Sequence, residues 1–203
     1  TSTPNGTVTL YAQWNSGTVT LPTPTREGYT FAGWYDKATG GTKVADGGAK
    51  YTPTANTTLY AYWTANTYTV KYNGNGATGG STANSTHTYD VEKALTANGY
   101  TRQYTVTYNY NGSGASNTSA VAKYTFKNWN TAANGSGTSY TDKQVVENLT
   151  NTVGGTVNLY AQWNTGTITT PTPTRTGYTF TGWYDAATGG KKVADGGKAY
   201  VPE

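Results

Sequence analysis

The chain contains no cysteine and no methionine. Without cysteine no disulfide can staple its small units, and no thiol nucleophile or thiolate metal site exists. The missing methionine fits a segment drawn from within a longer protein. Charge is also scarce: charged residues are 12% of the chain, about half the roughly 25% usual for soluble domains. The net charge of +4 comes from 14 basic and 10 acidic residues scattered along the sequence, with Lys191-Lys192 the nearest thing to a cluster. A nucleic-acid binder would concentrate its positive charge on one face, so no nucleic-acid partner is expected. No apolar run approaches the roughly 18 residues a membrane span needs. No signal peptide or anchoring motif is visible. Membrane insertion is not expected, and any export signal or wall anchor is expected outside this segment.

Groups that carry chemistry are equally sparse. His87 is the single histidine, set in Ser85-Thr-His-Thr-Tyr89 with no second ligand or carboxylate at metal or triad spacing. It reads as a solvated loop or strand residue. Asp36 and Asp46 recur as Asp185 and Asp195. Paired carboxylates are the currency of acid-base catalysis, but Asp-Gly at 46–47 and 195–196 reads more simply as a turn. The glycine pairs lack the Lys-Ser/Thr of a phosphate loop. An autocatalytic Lys–Asn isopeptide crosslink would need a buried Lys, Asn and carboxylate together. The expectation is a non-enzymatic chain with no catalytic residue, cofactor or metal.

What the chain has is repetition. Residues 6–53 recur without a gap as residues 155–202: Trp14 returns as Trp163 and Trp34 as Trp183. Most differences between the copies are conservative, such as Val19 to Ile168 and Ala32 to Thr181. Close copies of this kind mark an array in which each unit repeats one supersecondary element.

Strand signals fill the array. Thr7-Val-Thr-Leu-Tyr-Ala-Gln-Trp14, Thr67-Tyr-Thr-Val-Lys-Tyr72, Tyr104-Thr-Val-Thr-Tyr108 and Thr156-Val-Asn-Leu-Tyr-Ala-Gln-Trp163 alternate β-branched or aromatic residues with small polar ones, the period of half-buried strands. Between them Asn73-Gly-Asn-Gly76, Asn111-Gly112, Gly40-Gly41, Gly47-Gly48 and Gly189-Gly190 supply tight turns, so strands should be short. Only residues 90–95 and 141–148 offer a helical pattern, the second with Thr141 as cap. The Pro-Thr-Pro-Thr-Arg runs at 22–26 and 171–175 should lie extended along an edge or crossover, or else serve as a proline ligand for a partner domain.

The residues Gly28-Tyr-Thr-Phe-Ala-Gly-Trp-Tyr35 and Gly177-Tyr-Thr-Phe-Thr-Gly-Trp-Tyr184 resemble the signature of the Listeria-Bacteroides repeat, the B-repeat of internalin-type surface proteins. Leu10-Tyr-Ala-Gln-Trp14, Leu59-Tyr-Ala-Tyr-Trp63 and Leu159-Tyr-Ala-Gln-Trp163 resemble its closing strand. The resemblance implies mainly β structure: tandem small β-grasp-like modules with little helix, in an elongated arrangement on a bacterial surface protein, with no catalytic residues to carry over. The segment 1–64 reads as one module whose opening hairpin is replaced by the strand 7–14. Residues 65–163 hold two opening-type strands and one diverged signature, Lys123-Tyr-Thr-Phe-Lys-Asn-Trp129, as one enlarged or fused module. Residues 164–203 stop before any closing strand, leaving an edge open to disorder or to a strand from a neighbouring copy.

Aromatic residues are 14% of the chain, including 6 Trp and 19 Tyr. The structural signature comprises Tyr29, Phe31, Trp34, Tyr60, Trp63, Phe126, Trp129, Tyr160, Trp163, Phe180 and Trp183. Modules of about 50 residues without disulfides need such side chains to bury enough surface. Each aromatic removes roughly 150–250 Å² from water, at most about 4–6 kcal/mol. Tyr35 and Tyr184 are the candidate ligand contacts, as stacking platforms for sugar rings. Two functions follow: an extracellular stalk or spacer in adhesion, or an adhesive module that itself binds a glycan or host-surface protein.

Overall fold

The computed structural model describes residues 10–14 and 17–203. Among the described residues there is no helix, and the chain divides into two compact units, Thr1–Asn66 and Thr67–Glu203. The fold is mainly β, as the alternating sequence requires.

In the first unit the strands are β1 (Val19–Thr20), β2 (Tyr29–Tyr35), β3 (Lys43–Ala45), β4 (Lys50–Tyr51) and β5 (Tyr60–Ala65). The signature strand β2 lies between β3 and the closing strand β5, all antiparallel, while β1 and β4 form a separate clip. Residues 7–9 of the strand expected at 7–14 lie outside the described residues; residues 10–14 join no ladder.

The second unit contains β6 (Thr67–Asn73), β7 (Gly79–Gly80), β8 (Ser85–Thr88), β9 (Lys93–Ala94), β10 (Tyr100–Tyr108), β11 (Thr118–Asn130), β12 (Ser139–Tyr140), β13 (Val145–Val146) and β14 (Thr156–Asn164). It ends with β15 (Ile168–Thr169), β16 (Trp183–Tyr184), β17 (Lys192–Ala194) and β18 (Ala199–Tyr200). Its main sheet runs β7-β10-β11-β14-β6-β8, with β12 also on β11. β14 is antiparallel to the signature half of β11 and parallel to β6.

The thirteen-residue β11 is shared between two cores. Its second half contributes Trp129 to a cluster with Tyr68, Val70, Tyr72, Leu95, Val146, Leu159 and Ala161. Its first half pairs with β10 and contributes Ala122 to a second cluster with Tyr108 and Ile168, flanked by Trp183 and Tyr200. The second opening strand, Tyr104 to Tyr108, thus packs with the last forty residues of the chain rather than with its sequence neighbours in the first core.

The helical pattern at 90–95 and 141–148 gives two short strands instead. β9 and β13 pair with each other, Val145 opposite Ala94, making the same clip as β1 with β4 and β15 with β18. Asp90, Lys143 and Asn148 take positive φ of 57°, 57° and 52°, which a helix cannot accommodate. Asp90 and Asn148 then lock the two ends: the Asp90 amide donates to Asn148 Oδ1 at 2.7 Å and Asn148 Nδ2 to Asp90 Oδ1 at 2.8 Å. Apolar spacing in so short a segment was the wrong period, because the clip buries only Leu95 and Val146.

Each signature strand carries a bulge just before its tryptophan, at Phe31/Gly33 and Phe126/Asn128. Gly33 holds φ at 130°, and a Cβ there would sit 2.5 Å from Lys43 Cε and 3.0 Å from the Ala45 carbonyl oxygen. Gly182 repeats this geometry at φ 134°. Gly33→Ala should therefore destabilise the first unit by about 1–3 kcal/mol, measured by urea unfolding of residues 17–66. An unchanged midpoint would mean that the bulge relaxes freely.

Candidate functional site

The signature strand organises an aromatic assembly around its tryptophan. The Phe and Trp three residues apart in the signature meet in every copy: Phe31–Trp34 and Phe180–Trp183 edge to face at 5.5 and 5.4 Å, and Phe126–Trp129 tilted at 5.0 Å between ring centroids. The Trp34 indole donates to the Pro22 carbonyl at 2.9 Å, and Trp183 to Pro171 at 2.9 Å. The extended Pro-Thr-Pro-Thr-Arg run is thus a partner of its own module's tryptophan. Its arginine turns back over the first signature tyrosine, Arg26 over Tyr29 at 3.7 Å and Arg175 over Tyr178 at 4.0 Å, a cation–π contact. In the middle copy, which lacks that run, Trp129 is fully buried and its indole nitrogen has no partner.

The closing strand supplies the second tryptophan. Trp63 packs 5.3 Å from Phe31 and Trp163 6.0 Å from Phe126; both are half-buried, as is Tyr160, while Tyr60 is exposed. Tyr35 is stacked on Tyr62 at 3.9 Å, its ring face occupied. Where an opening strand is present, its tyrosine covers the signature tryptophan: Tyr72 on Trp129 at 4.8 Å, Tyr108 on Trp183 at 4.9 Å.

Among the described residues no closing strand pairs with the third signature. Among the described residues, 179–182 join no ladder, and a groove of about 680 Å³ opens between them and residues 107–113. Phe180, Trp183 and Tyr110 form its apolar lining, with Asn111, Tyr178 and Tyr184 at its rim. Tyr178 is 67% exposed and Tyr184 45%, so of the two candidate ligand contacts only Tyr184 presents an open ring.

Sequence reasoning read Asn75 and Asn111 only as turn residues. Each closes its turn by donating its amide to the Asn two positions before, at 2.8 and 2.9 Å. The side chains then reach across the sheet: Asn75 Nδ2 donates to the Ala133 carbonyl at 2.8 Å and the Ala161 carbonyl at 2.9 Å, and Asn111 Nδ2 to Ala187 at 3.3 Å. The matched spacing of Asn-x-Asn-Gly after each opening strand was the available signal.

Reactive groups are engaged in structure. Among the described residues no three His, Asp or Glu gather as a metal site. Asp36 and Asp185 each accept the backbone amide six residues on, Thr42 and Lys191, at 2.7 Å. Asp46 and Asp195 accept from Lys43 and Lys192 at the surface. Every lysine is exposed, so the buried lysine an isopeptide crosslink requires is absent. His87 departs from expectation: it is 1% exposed in β8, stacked on Tyr68 at 5.5 Å, with Nε2 2.9 Å from Ser85 Oγ. Period-2 alternation in Ser-Thr-His-Thr turns it inward.

The family model of the Listeria-Bacteroides repeat domain matches residues 15–62, 120–162 and 150–203. The chain belongs to the Listeria-Bacteroides repeat family. Internalin H of Listeria monocytogenes serovar 1/2a is 42% identical over 86 residues, covering 34% of this chain and 16% of that protein. No solved structure matches the chain. Two of the family matches overlap at residues 150–162, around the closing strand β14 that separates the second signature from the third. Within the Listeria-Bacteroides repeat pattern the middle copy is the diverged one, with Lys127-Asn128 where the others have Ala32-Gly33 and Thr181-Gly182.

Burial, and secondarily the charge of Lys93, hold the His87 imidazole below its usual pKa. The unfolded chain then binds the proton more readily than the fold, so this contribution is complete above about pH 6.5 and is lost as pH falls below it. Thermal unfolding should fall between pH 7.5 and 5.5, and His87→Gln should flatten that slope. An equal slope in both proteins would show that His87 does not titrate with folding.

Proposed function

We propose that the chain is part of a non-enzymatic repeat region of a secreted or cell-surface bacterial protein, working as a stalk that spaces an adhesive domain from the cell. The observation that carries this reading is where the aromatic signature goes. Trp34 and Trp183 donate to their own proline runs, Trp163 donates to the Gly74 carbonyl at 3.0 Å, and Trp129 is sealed in the core. Side chains that a binding module would offer outward instead hold each module together internally, as a spacing array needs. Family membership and the similarity to internalin H point the same way. Low surface charge suits a tether that should not attract counter-ions or nucleic acid.

A second reading, direct binding of a glycan or host-surface protein, rests on the exposed Tyr178 and Tyr184 beside the C-terminal groove. Sugar rings stack on such faces, and the groove has polar amides at its rim.

Titration of the fragment with a glycan panel, followed by tryptophan fluorescence, separates the two. The stalk reading predicts no change beyond dilution, and Tyr184→Ala should behave as the parent does. A saturable change lost in Tyr184→Ala would establish the adhesive reading instead.

A further inference from the structure

The opening strand β6 and the closing strand β14 are far apart in sequence, yet they lie side by side. The chain enters the second unit at Thr67, runs along β6 to Asn73, and later runs along β14 from Thr156 to Asn164 in the same direction. Thr69 is registered with Thr156 and Asn73 with Tyr160. The pairing extends past the ladder at its near end, where the Gly154 amide donates to the Thr67 carbonyl at 2.8 Å and the Thr69 amide to the Gly155 carbonyl at 2.9 Å. Because the strands are parallel, the entry point Thr67 sits at one end of the pair and the exit point Asn164 lies beyond the other.

This topology decides how the unit answers a pull along the chain. Tension that draws Thr67 and Asn164 apart slides β6 backward against β14, so the five registered pairs are strained together rather than in turn. A hairpin is loaded differently: Arg102 and Tyr124 face each other across β10 and β11, and separating them opens one pair at a time. Forced unfolding follows the rate over the barrier, and a concerted rupture has the higher barrier.

Side chains tie the far end of the pair as well. Gly74 and Asn75 follow β6 directly. The Trp163 indole donates to the Gly74 carbonyl at 3.0 Å, and Asn75 Nδ2 donates to the Ala161 carbonyl at 2.9 Å and the Ala133 carbonyl at 2.8 Å. Leu159, fully buried, lies beside Tyr72 in the core of Trp129. Sliding must break these contacts together with the ladder. We infer that the parallel pair of β6 and β14 is a shear clamp that carries tension through the second unit and keeps the intervening residues 74–155 out of the path of the force. The inference rests on the stalk reading for the origin of that tension, whereas the mechanical response is a property of the fold.

Single-molecule pulling tests the clamp, since a chain without cysteine takes handles only where they are placed. Handles at Thr67→Cys and Thr165→Cys, both exposed positions, load the pair in shear. Handles at Thr67→Cys and Val153→Cys, the latter position 65% exposed, load the same pair from one end and peel it. Both chains should keep the native circular dichroism, and the rupture force should be severalfold higher in the first geometry. Asn75→Gly retains the positive φ of 46° that the turn requires, which glycine adopts freely, and removes both side-chain bonds. It should lower the force between 67 and 165 and leave the force between 67 and 153 unchanged. Equal forces in the two geometries would overturn the inference. So would an Asn75→Gly effect of the same size in both, which belongs to overall stability. A glycan response in tryptophan fluorescence would displace the stalk reading and leave the comparison of the two forces intact.

Discussion

The ladder between signature strand and closing strand is the constraint on which the rest of each module depends. It fixes the bulge that turns Trp34 or Trp129 inward, and it brings Trp63 or Trp163 against the phenylalanine of the signature. Hydrogen bonding along the ladder sets position, while the aromatic cluster supplies the burial that a module of this size otherwise lacks. Where the closing strand is present, the signature runs as a continuous strand. In the third signature Trp183 and Tyr184 lie in a ladder with β17.

The opening strand is the second constraint, and it explains the long β11. β14 pairs antiparallel with its signature and parallel with the opening strand β6, whereas β5 in the first unit pairs only with its signature. In the second unit one opening strand, β6, serves the core of Trp129, while the other, β10, hairpins with the first half of β11 and serves the core of Trp183. Two modules thereby share one strand. Sharing a strand ties adjacent modules mechanically in a way that a flexible linker would not.

Much of this was legible in the sequence because it is local. Alternation in residues 67–72 and 104–108 and the Asn-Gly and Gly-Gly turns are decided within a few residues, and they appear where expected. The partnership of residues 104–124 with 164–203 was not legible, because it depends on contacts between segments tens of residues apart that no local pattern encodes. The short apolar spacing of 90–95 and 141–148 suggested helix for the same reason: only the long-range pairing of the two segments reveals them as one clip. His87 was read as solvated from its polar neighbours, yet alternation alone would have placed it on the face of Tyr68. The roles of Asn75 and Asn111 lay beyond a turn reading because their side-chain acceptors, Ala133, Ala161 and Ala187, are remote in sequence.

Residue-resolved hydrogen exchange on Ile168→Ala tests the central claim, that the hairpin of β10 and β11 and the C-terminal residues form one core. Removing this side chain should lower protection together at Val106, Tyr108, Ala122 and Tyr200, while Val70, Leu159 and Ala161 keep theirs. Loss confined to residues 164–203, with the hairpin unaffected, would contradict the shared core.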